Sequence, residues 1–171
     1  MEDLRKFIRD VPDFPKKGVI FKDITTLLKE GKIYSKAINL LAKKYKNEKI
    51  DKIVSMESRG FILGGALAYK LGCGFVPVRK KGKLPWETIK ETYELEYGTD
   101  TVEIHQDAIE PRERVLIVDD VLATGGTAKA VAKLVEKLGG KVVACAFLIE
   151  LTFLKGRDKL KGYKIYSLMK Y

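Results

Sequence analysis

The chain has 171 residues, of which 46% are apolar and 33% are charged, and its formal net charge is +10. This length suits a single domain with a buried core, and the ordinary apolar share argues against disorder. A lone histidine, His105, excludes a histidine-based triad within one chain, and Cys73 and Cys145 lack the spacing of a zinc site or a disulfide framework.

The first half of the chain alternates between helical and strand patterns. Residues 1–10 lack the apolar core of a signal peptide, and no apolar run is long enough for a membrane helix, so we expect a cytoplasmic protein. Apolar residues at helical spacing predict a helix over residues 32–46, followed by a strand over residues 50–56. Residues 60–71 are predicted to form a helix that ends at Gly72, and residues 75–79 a second strand.

The second half begins with a change of pattern. Residues 80–106 combine Gly and Pro with alternating polar and apolar positions, which predicts a hairpin with a mobile tip. Strands are then expected at residues 115–118, 141–150 and 163–168, and a helix at residues 127–138. This order favours an α/β fold, with a parallel twisted sheet flanked by helices in a single domain over residues 1–171.

The most informative segment is VLIVDDVLATGGT, residues 115–127. An apolar strand leads into Asp119 and Asp120, whose carboxylates suit a ribose diol at the carboxyl end of a parallel strand. A loop of small residues then opens a helix, where backbone N–H groups and hydroxyls can surround a phosphate. This loop consists of Ala123, Thr124, Gly125, Gly126 and Thr127. The segment therefore predicts a ribose 5-phosphate site; the alternative is a helix cap followed by a simple turn.

This segment resembles the motif with which type I phosphoribosyltransferases bind 5-phosphoribosyl 1-pyrophosphate (PRPP). Five further segments, in the same order along nearly the whole chain, are similar to adenine phosphoribosyltransferases: residues 14–25, 56–61, 78–85, 93–98 and 148–160. The resemblance implies Mg²⁺-assisted transfer of ribose 5-phosphate from PRPP to N9 of adenine, giving AMP and pyrophosphate. It also implies a small N-terminal hood and a hairpin lid.

The resemblance places the pyrophosphate near two groups of residues. Ser58, Arg59 and Gly60 follow a predicted strand, so their backbone can approach the pyrophosphate while Arg59 binds its oxygens and assists catalysis. Positive charge and a lid contact are added by Arg79, Lys80, Lys83 and Tyr97. The alternatives are a structural salt bridge for Arg59 and an ordinary surface position for Lys83.

The same resemblance assigns the base site to the segment around Phe21. Phe21 is expected to stack on adenine, the backbone of Ile20 and Lys22 to read its N1 and amino edge, and Val121 to cover the opposite face. The alternative for Phe21 and Ile20 is a core position. Lys22 stands where the family commonly has Arg, which a backbone contact tolerates.

Glu96 is the expected acid or base, sharing a proton with the purine N7 inside a lid that excludes water. Mg²⁺ is expected to be held mainly by substrate oxygens, without a dedicated protein cage. Glu57 is left without an assigned role.

Two other functions fit the composition. A PRPP-binding regulator of nucleic acid would use the net charge of +10, but the chain has no residues left for a separate DNA-binding domain. A phosphoribosyltransferase for another purine would share most of the motifs. We expect the adenine enzyme, acting as a homodimer without nucleic-acid or membrane partners.

Overall fold

The structure is a computed structural model that describes residues 3–94 and 98–171. Within these residues the strands are β1 (Arg9–Pro12), β2 (Ile20–Asp23), β3 (Lys52–Met56), β4 (Gly74–Lys80), β5 (Thr88–Glu94), β6 (Thr99–His105), β7 (Arg114–Leu122), β8 (Lys141–Glu150) and β9 (Ile165–Lys170). The α-helices are α1 (Thr25–Leu28), α2 (Gly31–Tyr45), α3 (Arg59–Leu71) and α4 (Gly126–Lys137). Short 3₁₀ helices span Leu4–Phe7, Thr152–Leu154 and Gly156–Leu160.

The main sheet has the strand order β5-β6-β4-β3-β7-β8-β9. Pairing is parallel from β4 through β3, β7 and β8 to β9, whereas β6 pairs antiparallel with both β4 and β5. The parallel sheet predicted from the alternating pattern is therefore confirmed, and the predicted hairpin is the β5–β6 pair at its edge.

Core residues lie on both faces of the sheet, as the alternation of side chains along β7 shows. Leu116 and Val118 belong to the apolar cluster that includes residues of α2 and α3, and Val115 and Ile117 belong to the cluster that includes α4. Because helices cover both faces, the central strands are apolar at nearly every position.

The predicted element boundaries agree closely in the central part of the chain. The strand at Lys141–Glu150 matches the prediction, and α3 ends at Leu71, where Gly72 caps it with a φ of 69° in the left-handed region. The prediction for β7 was too short, since β7 continues through Asp119 and Asp120 to Leu122, held by parallel pairing with β8. The last strand begins at Ile165, two residues later than predicted.

Two elements near the N-terminus were not predicted as strands. β1 and β2 form a separate antiparallel pair, in which Val11 lies opposite Phe21. This pair forms the small N-terminal hood that the family resemblance implies. The turn between its strands is closed by the Gly18 amide, which donates to Asp13 Oδ1 at 2.7 Å.

Candidate active site

The carboxyl ends of β3, β4 and β7 bring the predicted site segments to one edge of the sheet. Residues 57–60 follow β3, residues 79–83 form the end of β4 and the turn after it, and residues 119–127 form the end of β7 and the start of α4. Ligands of open α/β sheets bind at this edge. Parallel pairing of β3 with both neighbours therefore gathers three segments that are distant in sequence.

Two adjacent carboxylates lie at the end of β7. The Asp120 side chain is 8% exposed, and its Oδ2 lies 2.7 Å from Arg59 Nε. Asp119 Oδ1 accepts the Asp120 amide at 2.8 Å. A Cβ atom on Gly60 would lie 2.7 Å from Asp119 Oδ1, so glycine is required for this close packing of α3 on β7.

The electrostatics of the two carboxylates follow from their enclosure. Burial, together with the neighbouring charge of Asp120, raises the pKa of Asp119 well above its ordinary value. Burial also raises the pKa of Asp120, although the Arg59 guanidinium opposes that rise. A hydroxyl-rich ligand that donates to these oxygens would stabilise the ionised forms.

The loop after β7 forms a small cavity of about 70 Å³. Its lining comprises Asp119, Val121, Leu122, Ala123, Thr124, Gly125, Thr127, Ala128 and Phe147. Gly125 has a φ of 80°, and α4 begins after it without a side-chain cap. The N-terminal N–H groups of α4 are thus left for a ligand, and their polarity suits an anion.

Gly156 shapes this loop from the other side. A Cβ atom on Gly156 would overlap the Ala123 carbonyl oxygen, and one on Gly125 would overlap the Gly156 carbonyl oxygen. The two backbones are therefore in direct contact, and no side chain fits between them. The segment 148–160 is predicted from the sequence only through the family resemblance, which assigns none of its residues to the site.

The hairpin contacts the same loop through Tyr93, which sequence reasoning did not assign to the site. Thr127 Oγ1 donates to the Tyr93 hydroxyl at 3.1 Å, and the Tyr93 hydroxyl lies 3.4 Å from Asp100 Oδ2. Glu91, also in β5, accepts from Lys133 at 2.8 Å and Lys137 at 2.6 Å. The hairpin is therefore attached to α4 at two places, through Tyr93 at the start of the helix and through Glu91 farther along it.

An open pocket of about 380 Å³ lies beside the hood. It is lined by Val11, Phe14, Phe21, Asp23, Thr25 and Arg59. The Arg59 guanidinium carbon lies 4.6 Å from the centre of the Phe21 ring, and the edge of Phe14 contacts the same ring at a centroid distance of 5.1 Å. Arg59 therefore connects the aromatic wall of this pocket to the carboxylate Asp120.

The other predicted base-site residues are Ile20, Lys22 and Val121. Ile20 is 55% exposed, which excludes the core position considered for it. The Lys22 ammonium lies 2.6 Å from Asp10 and 4.2 Å from the Tyr171 ring centre, so this side chain is engaged elsewhere. Val121 lines the loop cavity rather than the pocket that contains Phe21.

Two of the predicted cations, Arg79 and Lys83, converge on Glu57. Arg79 and Lys83 each place a nitrogen within 3.2 Å of Glu57 Oε2, and the Lys80 amide donates to Oε1 at 2.6 Å. The Lys80 ammonium itself lies 3.2 Å from Asp100. These hydrogen bonds lower the pKa of Glu57 in spite of its burial. The only sequence signal for Glu57 was its position directly before Ser58.

Three further predicted residues were Ser58, Glu96 and Tyr97. Ser58 is exposed and precedes α3 without capping it through its side chain. Glu96 and Tyr97 lie outside the described residues. Their predicted roles in proton transfer and lid closure therefore stay predictions.

Within residues 3–94 and 98–171, no three His, Cys, Asp or Glu side chains form a group that could hold a metal ion. No helix of the described chain combines the length and apolar character needed to cross a membrane.

Comparison with known proteins matches residues 23–168 to the family described as "Phosphoribosyl transferase domain". An adenine phosphoribosyltransferase from Syntrophotalea carbinolica is 60% identical over all of both chains. The crystal structure of adenine phosphoribosyltransferase from Thermoanaerobacter pseudethanolicus is 59% identical, with a TM-score of 0.96 and 98% of each chain covered.

A third similar protein was crystallised with ligands. Adenine phosphoribosyltransferase from Saccharomyces cerevisiae, complexed with an imino-altritol bisphosphate and adenine, is 44% identical, with a TM-score of 0.91 and 96% of each chain covered.

Proposed function

The chain belongs to the phosphoribosyl transferase family, and we propose that it transfers the 5-phosphoribosyl group of PRPP to N9 of adenine, giving AMP and pyrophosphate. One observation carries this proposal: an anion cavity, two carboxylates, an aromatic pocket and a cation cluster share one edge of the sheet. The predicted enzyme class is confirmed by full-length relatives at about 60% identity.

The ribose 5-phosphate of PRPP is assigned to the end of β7. The phosphate would take the cavity formed by residues 123–127, where N–H groups of α4 and the hydroxyls of Thr124 and Thr127 surround it. Asp119 and Asp120 would accept the ribose hydroxyls. Because burial raises the pKa of both carboxyls, donation from the diol compensates part of the cost of their ionisation.

Breaking the bond between C1 and pyrophosphate leaves positive charge on the ribose ring and negative charge on the leaving group. Asp119 and Asp120 stabilise the former by their proximity, and Arg79, Lys80 and Lys83 stabilise the latter, together with the backbone of residues 58–60. Arg59 is paired with Asp120, as the salt-bridge alternative foresaw. Its remaining N–H groups are assigned to the pyrophosphate oxygens.

Adenine is assigned to the pocket beside Phe21. N9 of adenine, in the tautomer that carries its proton on N7, attacks C1 with its lone pair as the pyrophosphate leaves with the electron pair of the broken bond, and the N7 proton passes to Glu96. Glu96 is the proposed acid or base that shares a proton with N7, and Tyr97 the proposed lid contact to pyrophosphate. The backbone of Ile20 and Lys22 would read the adenine edge, and Val121 would cover the face of the base opposite Phe21.

Mg²⁺ is proposed to enter bound mainly to oxygens of PRPP. No dedicated protein ligand is proposed for the ion, because the oxygens of PRPP and water are the ligands that this hard cation prefers. Bound there, the ion would neutralise charge on the leaving pyrophosphate.

The oligomeric state, the location and the domain organisation of the protein are also proposals. A homodimer is favoured by the exposed apolar side chains Ile62, Tyr69 and Phe75 on α3 and β4, which a second copy could cover. The two free cysteines suit a cytoplasmic location. We propose that residues 1–171 act as one phosphoribosyltransferase domain, without nucleic-acid or membrane partners.

The test is turnover of PRPP and Mg²⁺ with adenine, guanine, hypoxanthine and xanthine in parallel, following nucleotide formation. AMP should be the main product. A different nucleotide would indicate another purine specificity. PRPP binding without any product, together with a salt-dependent shift of DNA in a gel, would support the regulator instead.

A further inference from the structure

The carboxylate of Glu57 accepts hydrogen bonds from three residues at the end of β4 and in the turn after it. Its Oε2 accepts from Arg79 Nη2 at 3.1 Å, from Arg79 Nε at 3.3 Å and from Lys83 Nζ at 3.2 Å. Its Oε1 accepts the Lys80 amide at 2.6 Å. The Glu57 side chain is only 8% exposed, so it lies beneath the two charged groups rather than beside them.

Further contacts fix the same turn. Arg79 Nη1 donates to the Lys83 carbonyl at 3.1 Å, which closes the turn on itself. The Gly82 amide donates to Oε2 of Glu103, a buried residue of β6, at 2.9 Å. The largely buried carboxylates of Glu57 and Glu103 therefore both hold the backbone of this turn. In these hydrogen bonds Glu57 is the one that also accepts from the cationic side chains of the turn.

The cations keep unused donors on their outer side. A guanidinium has five N–H groups and an ammonium has three. Contacts within the described residues use three on Arg79 and one on Lys83, which leaves two on each for an anion. The Arg79 side chain is 36% exposed and the Lys83 side chain 49%, so these donors are accessible.

We propose that Glu57 is a positioning residue for pyrophosphate, holding Arg79 and Lys83 in one arrangement that presents their free N–H groups to the leaving group of PRPP. This inference rests on the proposed function. Glu57 directly precedes residues 58–60, so a single side chain joins the two segments assigned to pyrophosphate.

The amide of glutamine cannot replace this carboxylate. Glutamine offers one oxygen acceptor and one NH₂ donor. In either orientation its NH₂ group faces a donor, either the Lys80 amide or the pair of cations. E57Q also removes the negative charge that offsets the repulsion between Arg79 and Lys83. The variant should therefore lose the arrangement of the cations, even though the net positive charge of the cluster rises.

The experiment compares steady-state kinetics of the full-length wild type, E57Q and E57D, with E113Q as control. Glu113 contacts Lys52 and a backbone amide before β7, at the opposite edge of the sheet. E57Q should raise the KM for PRPP about tenfold, since charge-assisted hydrogen bonds are lost, with little change in the KM for adenine. E57D should lie between E57Q and wild type, and E113Q should match wild type.

A double-mutant cycle tests whether Glu57 acts through the cations. In an R79A/K83A background, E57Q should have no further effect on the KM for PRPP. Calorimetric titration with pyrophosphate measures binding without turnover. E57Q should weaken pyrophosphate binding in the wild-type background and have no further effect in the R79A/K83A background. An equal effect of E57Q in both backgrounds would indicate a general structural role and overturn the proposal.

Two other outcomes also overturn it. E57Q with an unchanged or lowered KM for PRPP would mean that Glu57 does not position the cations, or opposes the anion. If E57Q fails to fold, E57D decides, because a shorter carboxylate cannot reach all three residues and should raise the KM at least about threefold. Absence of AMP formation by the wild type would refute the proposed function instead, and pyrophosphate titration would still test Glu57.

Discussion

Replacing Asp119 by asparagine should stabilise the protein while impairing its activity. Asp119 is enclosed beside a second carboxylate, and both factors raise its pKa well above the ordinary value of 3.8. The folded state therefore binds the Asp119 proton more strongly than the unfolded state does. Asparagine is neutral at every pH, and its Oδ1 can still accept the Asp120 amide now bonded at 2.8 Å.

The magnitude follows from proton linkage. Between the ordinary and the raised pKa, each unit of rising pH lowers the contribution of Asp119 to the free energy of unfolding by about 1.4 kcal/mol. Above the raised pKa the loss is complete and stays constant. Asp119→Asn should thus gain stability relative to wild type as the pH rises between these two pKa values, with a slope of about 1.4 kcal/mol per pH unit.

The assay is chemical denaturation of both proteins at equal concentration from about pH 4 to about pH 8, with about one measurement per pH unit. Carboxyls with a lowered pKa, such as Glu91 and Glu150, make the protein more stable as the pH rises. Both proteins contain these carboxyls, so their contributions cancel when the two free energies of unfolding are subtracted. Formation of AMP should fall about a hundredfold, because the charge near the ribose is lost.

The control is Asp107→Asn, at an exposed carboxylate in the turn after β6, which should leave stability and turnover unchanged. A stability difference that does not vary with pH would refute the argument from burial. Wild-type turnover of Asp119→Asn would refute its assignment to the ribose.

Three further substitutions separate the parts of the site by steady-state kinetics. Gly156→Ala should raise the KM for PRPP at least about tenfold, because its Cβ overlaps the Ala123 carbonyl and displaces the phosphate loop; a normal KM would contradict this packing. Tyr93→Phe should lower the KM for PRPP by up to about fivefold, since Thr127 no longer donates to the hydroxyl; a higher KM would mean that Tyr93 itself binds substrate. Phe21→Ala should raise the KM for adenine about tenfold and leave that for PRPP unchanged; the reverse pattern would place adenine elsewhere.

The sequence predicted the central elements well because their signals are local. The strand Lys141–Glu150 contains a continuous apolar run over residues 142–149, and Gly72 supplies the positive φ that ends α3. The end of β7 was mispredicted because two aspartates normally interrupt a strand pattern. Pairing with β8 carries the strand past them to Leu122. The hood strands were missed for a related reason, since each is four residues long and, in the described part of the chain, pairs only with the other.

The sequence alone determined the chemistry available to this protein: a phosphate loop after two carboxylates, an aromatic residue in the N-terminal segment, and a short cationic turn. Only the tertiary structure decided how these groups are connected. Parallel pairing of β3 with β4 and β7 brings Glu57 to Arg79, 22 residues away, and Arg59 to Asp120. Such contacts depend on strand order and register, which residue types and spacing do not specify, because side chains meet across the sheet only after it has formed.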